Sequence, residues 1–349
     1  GKGPFIAKWE HPTLAKPTDE ELVGGGTIKQ RWVMAFGGGY GGGASSGFGP
    51  HVFVLDFEPD KASTPNTSGG KIISVAAIAP DPSSDIPNGV TADMSVISRD
   101  GTELANYYGG IAYFTDLQGQ LWKYNLSKKS LDENNDNLFE LNLAYRAQGT
   151  LANDRFGFNQ VATKIVQDDS GKSSLFNYFG TGDQSRIQRK DSTMNNRIFG
   201  IKDADFPNYG LEISGLGQDA STSQNIDDAT CVTDITQNWY SNTYSQTSLV
   251  PSKGPIDDWT KVIGRASLHD KKIYFSIYRP DSLACSVTGR SQIIEIRNGC
   301  GGVAAKVYNG IGIISPPVID EQGNIYFGVG NKALGGSRYD GIERRSLPS

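Results

Sequence analysis

The residues best placed to do chemistry lie in one short acidic run, Asp132-Glu-Asn-Asn-Asp-Asn-Leu-Phe-Glu140. Asp132, Asn134, Asp136 and Glu140 are spaced as the first, third, fifth and ninth positions of a loop, and Leu138 offers its carbonyl at the seventh. That spacing turns alternating oxygens toward one centre, and Ca2+ takes about six to eight oxygens, several of them carboxylates. The sixth position, usually glycine, is Asn137, which also tolerates a left-handed turn. A polar hairpin tip between two strands would have the same composition. The Asp227-Asp228 and Asp257-Asp258 pairs read as solvated turns.

Other chemistries find little support. The three histidines, His11, His51 and His269, are scattered, and no serine sits in a Gly-x-Ser-x-Gly elbow. No His-Glu-x-x-His or Cys-x-x-Cys pair offers a zinc site. The glycine-rich run Gly37–Gly43 has a strand on both sides, whereas a phosphate loop needs a helix after it to supply aligned amides, so it reads as a flexible turn. Cys231, Cys285 and Cys300 are the only cysteines. Cys285 and Cys300 flank a predicted hairpin, which leaves both a bridge and three unbridged thiols open.

The elements that must position these residues are short. Glycine supplies 43 of 349 residues, well above a usual share of roughly 7%. No helix-period stretch persists, and brief alternating or apolar runs recur between Gly, Asn, Asp, Ser and Pro, the pattern of many antiparallel strands. Net charge is −5, which argues against a nucleic-acid scaffold. No run of about 18 apolar residues exists to span a bilayer as a helix.

The strands repeat. A small-residue strand, a turn and a second strand recur at Arg31–Gly39 with His51–Asp56, at Ile111–Asp116 with Gly119–Asn125, at Leu175–Gly182 with Arg197–Asp203, and at Lys272–Ser276 with Gln292–Arg297. A fifth, truncated copy is Gly323–Gly328. Repeats of about four strands cannot bury their faces alone, and radial stacking gives a β-propeller, with a two-sheet sandwich as the rival. The expectation is therefore an all-β chain forming one propeller domain over 1–349, incomplete or modified. The last copy lacks its outer strands, and either an N-terminal strand completes it or blades precede Gly1. Two polar insertions, Pro80–Asn88 and the long Gly210–Val250, read as surface loops able to present contacts.

Several segments carry a resemblance. Trp32–Tyr40, Asp116-Leu-Gln-Gly-Gln-Leu-Trp-Lys-Tyr-Asn-Leu-Ser127, Tyr178–Gly182 with Asn196–Asp203, Val262–Gly302, Ile314–Pro317 and Gly341–Glu343 resemble, in this order, segments of the PilY1/PilC family of type IV pilus tip proteins. The resemblance runs from about Trp32 to Leu347. It implies a secreted, calcium-linked propeller at the C-terminal end of a longer pilus biogenesis factor and adhesin, displayed extracellularly at the pilus tip. It further implies minor pilins and a host or abiotic surface receptor as partners, and no catalysis. The family's Asp-rich loop falls here at Ser98–Glu103, where only Asp100 and Glu103 supply carboxylates. The enzyme alternative is a pyrroloquinoline quinone dehydrogenase, whose propellers carry related Gly-x-Leu-Trp motifs. The vicinal cysteines that many of those enzymes carry are absent here, and Trp122 is expected to pack between blades.

Overall fold

The computed structural model describes residues 5–11, 29–40, 49–56, 71–98, 110–126, 139–167, 171, 173–203, 205–206, 223–225, 238–242, 259–270, 272–281, 289–297, 303–331 and 339–346. All regular elements among them are strands, and they group into five sheets in chain order.

The first sheet is a plain antiparallel meander of β1 (Phe5–His11), β2 (Lys29–Gly37), β3 (His51–Asp56) and β4 (Lys71–Ala77). The second repeats it with β5 (Ser95–Ser98), β6 (Gly110–Thr115), β7 (Gln120–Asn125) and β8 (Leu141–Arg146). The third has β9 (Ala162–Gln167), β10 (Ser173–Gly180) and β11 (Arg197–Asp203), then β12 (Gln224–Asn225), which pairs in parallel outside β13 (Trp239–Asn242). In the fourth, β14 (Lys261–Val262) and β15 (Ser267–His269) together form a broken first strand against β16 (Lys272–Pro280), followed by β17 (Gly289–Arg297) and β18 (Val303–Ile311). The fifth repeats that break. There β19 (Ile313–Ile314) and β20 (Val318–Ile319) flank Pro316-Pro317, whose missing N–H donors interrupt the ladder against β21 (Asn324–Asn331), and β22 (Tyr339–Ser346) closes the row.

Strand side chains alternate between faces, and here both faces of the middle sheets are apolar. In the second sheet Ala112, Phe114, Trp122 and Tyr124 pack on Val33, Ala35, Val52 and Val54 of the first. The opposite parity, Ile111, Tyr113 and Leu121, packs on Leu175, Phe179, Phe199 and Ile201 of the third. Phe176, Tyr178, Ile198 and Trp239 then meet Ile273, Phe275, Ile277 and Ile294 of the fourth, whose Tyr274, Tyr278 and Ile293 meet Ile314, Ile325 and Phe327 of the fifth. Each sheet thus stacks face to face on the next in sequence order, which is the arrangement of propeller blades, and a two-layer sandwich is excluded. Trp122 packs between blades as its sequence suggested. Among the described residues no apolar core joins the fifth blade to the first.

Three expectations change. The N-terminal strand β1 pairs with β2 inside the first blade and does not complete the last one. The fifth blade does have a third strand, β22, in full register with β21 over eight residue pairs. And Gly210–Val250, expected to be a surface loop, contains β13, which pairs with β11 in the third blade. Gly200 permits that pairing: a Cβ there would collide with the Trp239 indole, which is itself buried at 3% exposure.

Candidate functional site

Connections at one end of the blades build a bonded layer of loops. They run from second to third strand within a blade and from the last strand of one blade into the next. Asp154, held at φ 64° and fully buried, is the centre of this layer. Its Oδ2 accepts from Lys261 Nζ at 2.6 Å, Asn196 Nδ2 at 3.0 Å and the Asp183 amide at 3.2 Å, while Oδ1 accepts from Arg189 Nη1 at 3.3 Å. Lys261 is equally buried, and burial pulls its ammonium below the ordinary lysine range against the attraction of Asp154. One carboxylate therefore ties the loop entering the third blade to the first strand of the fourth.

Asp183 extends the layer. Its Oδ1 accepts from the amide and hydroxyl of Ser185 at 2.9 and 2.6 Å, and its Oδ2 from Arg186 Nε at 2.6 Å. Burial raises its carboxyl, but those bonds outweigh it and hold the group below the usual carboxylate value. The same Asp-x-Ser turn occurs at Asp81, bonded to the Ser83 amide and hydroxyl at 2.9 and 2.6 Å. The solvent side of the layer carries cations: Arg186 lies over the Phe156 ring at 5.9 Å and Lys190 over the Trp259 ring at 5.7 Å.

The Pro80–Asn88 loop belongs to this layer, and it is pinned where a free presenting loop was expected. The Asp81 amide donates to Gln118 Oε1 at 2.7 Å, Gln118 Nε2 donates to the Ile86 carbonyl at 2.7 Å, and Ser84 Oγ donates to the Gly149 carbonyl at 2.6 Å. Pro82, Ser83, Asp85 and Pro87 remain exposed on a rigid base. The glycine run is fixed at its start as well, since the amides of Gly38 and Gly39 donate to the carbonyls of His51 and Val90, both at 2.8 Å.

A second feature lies where the first strands of four blades meet. A cavity of about 420 Å³ is lined by β5, by residues 160–163 at the start of β9, by 265–268 and by 316–319. Side chains join the blades around it. Ser95 Oγ donates to the Val161 carbonyl, Ser267 Oγ to the Pro317 carbonyl, Gln160 Nε2 to the Met94 carbonyl at 3.1 Å, and Arg265 Nη1 to Gln160 Oε1 at 3.0 Å.

Of the metal ligands expected from spacing, Asp132, Asn134, Asp136 and Leu138 lie outside the described residues, as do Asp100, Glu103 and all three cysteines. Glu140 is described. Its Oε1 accepts from Asn142 Nδ2 at 3.5 Å and its carbonyl accepts from the Asn125 amide at 2.9 Å. The stems of both acidic loops share one end of the second blade, where the Leu126 amide donates to the Gly110 carbonyl at 2.9 Å. Among the described residues no group of three or more His, Cys, Asp or Glu side chains converges as a metal site. Sequence reasoning missed Lys261 and Arg265, single cations beside apolar residues, and Asp154, which sits between Asn153 and Arg155 in a short polar loop, because none belongs to a motif. His51 and His269 take packing and turn positions: the His51 ring lies tilted beside Phe53 at 6.2 Å, and His269 lies 3.4 Å from Asp270.

No protein-family model matches the chain, and no curated protein matches it. Among solved structures it is similar to the crystal structure of the Pseudomonas aeruginosa PilY1 C-terminal domain. The match covers 99% of this chain and 84% of that one, at 13% identity and a TM-score of 0.49.

Proposed function

We propose that this propeller is a type IV pilus-associated surface protein that works by contact and carries out no bond-making step. One observation supports this reading. The segments that resemble pilus tip proteins fall in order on successive blades: Trp32–Tyr40 on β2, Asp116–Ser127 on β7, Tyr178–Gly182 on β10 with Asn196–Asp203 on β11, Val262–Gly302 across β14 to β17, Ile314–Pro317 from β19 toward β20, and Gly341–Glu343 on β22. Five of the six lie wholly or partly on the second or third strand of their blades. In this reading the partners are minor pilins at the pilus tip and a host or abiotic surface, the location is extracellular, and the chain supports pilus assembly, attachment and twitching motility. The rigid loop layer, with Arg186 and Lys190 beside exposed Pro82, Ser83 and Asp85, is the contact face. Ca2+ held by Asp132, Asn134, Asp136, Glu140 and the Leu138 carbonyl would order the adjoining loop.

The test is capture of minor pilins by the immobilised chain, beside adhesion of coated beads to cells and to glass. Retention of minor pilins that falls in an Arg186→Glu, Lys190→Glu double variant of unchanged melting temperature supports the reading. Retention no better than that of an unrelated propeller ends it. For calcium, titration calorimetry on an Asp132→Ala, Asp136→Ala double variant should show heats of binding lost. Unchanged affinity would move the site elsewhere.

A further inference from the structure

The cavity at the meeting of the first strands has an unusual balance of groups. Its polar side chains bond to one another or to the walls, apart from Arg265 and the half-buried Thr163. Ser95 and Ser267 spend their hydroxyls on carbonyls of the neighbouring blade, and Gln160 spends both ends of its amide. Arg265 is exposed to the cavity, and its described bond is the one from Nη1 to the neutral Gln160 Oε1. A guanidinium has five N–H donors, so most of its fork remains to be used. No Asp or Glu lines the cavity, and among the described residues Arg265 makes no ion pair. The part of the lining from the fifth blade is apolar and uncovered, with Pro316 exposed and Val318 at 67% exposure.

We infer that this cavity binds a monocarboxylate carrying a compact apolar body, with the carboxylate on Arg265 and the apolar part against Pro316 and Val318. The planar fork of arginine matches the two oxygens of a carboxylate, and the Gln160 bond fixes its direction. Arg265 is the one charged residue of the lining, and one cation balances a singly charged ligand. Inorganic phosphate, with its second charge and no apolar surface, suits the cavity less well. The volume of about 420 Å³ falls within the usual range for small-ligand pockets. Two sources carry this chemistry, a free branched-chain acid and the C-terminal carboxylate of a peptide ending in an apolar residue.

The experiment is titration calorimetry on the full chain with four probes: 4-methylpentanoate, its primary amide, the tripeptide Ala-Ala-Leu as the free acid, and the same peptide amidated. Inorganic phosphate is the control anion. Binding of either acid, with the matching amide at least about tenfold weaker, is expected, because the charge-assisted bonds are lost with the amide. Arg265→Gln should weaken the acid by a similar factor, and Arg265→Lys by less. Arg265 is exposed, so both variants should keep the wild-type melting curve. Val318→Glu, which places a like charge on the apolar wall, should also abolish binding. The tighter of the two acids identifies the source. Equal binding of acid and amide, equal binding by Arg265→Gln, binding of phosphate as tight as that of the acids, or no binding of either acid overturns the inference.

Discussion

Two turns in this molecule share an Asp-x-Gln-Gly start and a bond pattern, and their surroundings set them apart. Asp116-Leu-Gln-Gly-Gln-Leu-Trp122 joins the second and third strands of the second blade, and Asp320-Glu-Gln-Gly-Asn-Ile-Tyr326 joins the first and second strands of the fifth. In each, the aspartate amide donates to the carbonyl four residues on, and the glycine amide donates back to the aspartate carbonyl, all at 3.0 Å. In each, the carboxylate then caps the next strand. Asp116 accepts from the Gln120 amide, Gln120 Nε2 and Trp122 Nε1 at 2.9, 2.8 and 2.8 Å. Asp320 accepts from the Asn324 amide, Asn324 Nδ2 and Tyr326 Oη at 2.7, 2.8 and 3.0 Å. The difference is cover. Loops from two flanking connections close over Asp116, with the Leu117 amide on the Gly89 carbonyl and the Gly157 amide on the Leu117 carbonyl, and Asp116 is fully buried. Asp320 lies at the open end of the last blade. The motif makes the turn, and the neighbouring loops decide whether its charge is held in water or out of it.

Removing the carboxylate should break the comparison most sharply. Asp116→Ala takes the acceptor from the buried Gln120 amide and Trp122 Nε1, while Gln120 Nε2 keeps the Ala79 carbonyl at 3.1 Å, and at roughly 1–3 kcal/mol for each unsatisfied group the variant should lose about 3 kcal/mol in urea melts. Asp320→Ala opens the same bonds to solvent, which replaces them, so its melt should shift far less. Equal losses at the two sites would mean that local turn geometry, and not cover, sets the energy.

The glycines give a smaller and more specific contrast. Gly119 and Gly323 sit at φ 74° and 78°, so alanine at either carries the left-handed penalty of about 1–2 kcal/mol. At 119 an added Cβ would also lie 2.7 Å from the Arg155 carbonyl oxygen and 3.2 Å from the Ala147 Cβ, whereas at 323 it would meet only His269 Nε2 at 3.3 Å, the end of a side chain that can turn away. Gly119→Ala should therefore cost about 3 kcal/mol, the strain plus overpacking, and Gly323→Ala the strain alone. Equal costs would show that the loop from 147 to 161 yields to the added methyl.

This pair also shows what the sequence could reveal. Both turns, and with them the second strands of all five blades, were legible because alternating apolar runs bounded by Asp and Gly encode them locally. β13 was not, since four residues, Trp-Tyr-Ser-Asn, in a polar stretch become a strand only where β11 offers its edge and Gly200 makes room. β22 was missed for a related reason. Tyr339–Ser346 carries four charges in eight residues, and the long ladder to β21 overrides that composition. The lining of the inner cavity was equally hidden. Gln160, Arg265 and Val318 are far apart along the chain and meet only because the second to fifth blades bring their first strands to the same place. The acidic run Asp132–Glu140 was picked out by spacing alone; all of it before Phe139 lies outside the described residues, and Glu140 stands at the foot of the β7–β8 hairpin.

The last contrast is one of sign. Burial raises the Asp116 carboxyl from 3.8 to about 7, against the pull of the Trp122 and Gln120 donors. The bonds from Asn324 and Tyr326 lower the Asp320 carboxyl below its ordinary value. Stability rises with pH wherever the unfolded chain binds more protons than the folded one, and falls where it binds fewer. Between about pH 4 and pH 7 folded Asp116 keeps a proton that the unfolded chain has released, so its contribution to stability is complete below pH 4 and is lost as pH climbs toward 7. Asp320 does the reverse. Its contribution is complete above about pH 4 and disappears as pH falls through the lowered folded value. Melting temperatures measured from about pH 3 to pH 8 should therefore lose their neutral-side decline in Asp116→Asn and part of their acid-side decline in Asp320→Asn. The second change is the smaller one, because solvent screens an exposed carboxylate. If Asp116→Asn instead follows the wild-type profile between pH 4 and 7, the three donors keep that carboxylate charged despite its burial, and the two turns are electrostatically alike.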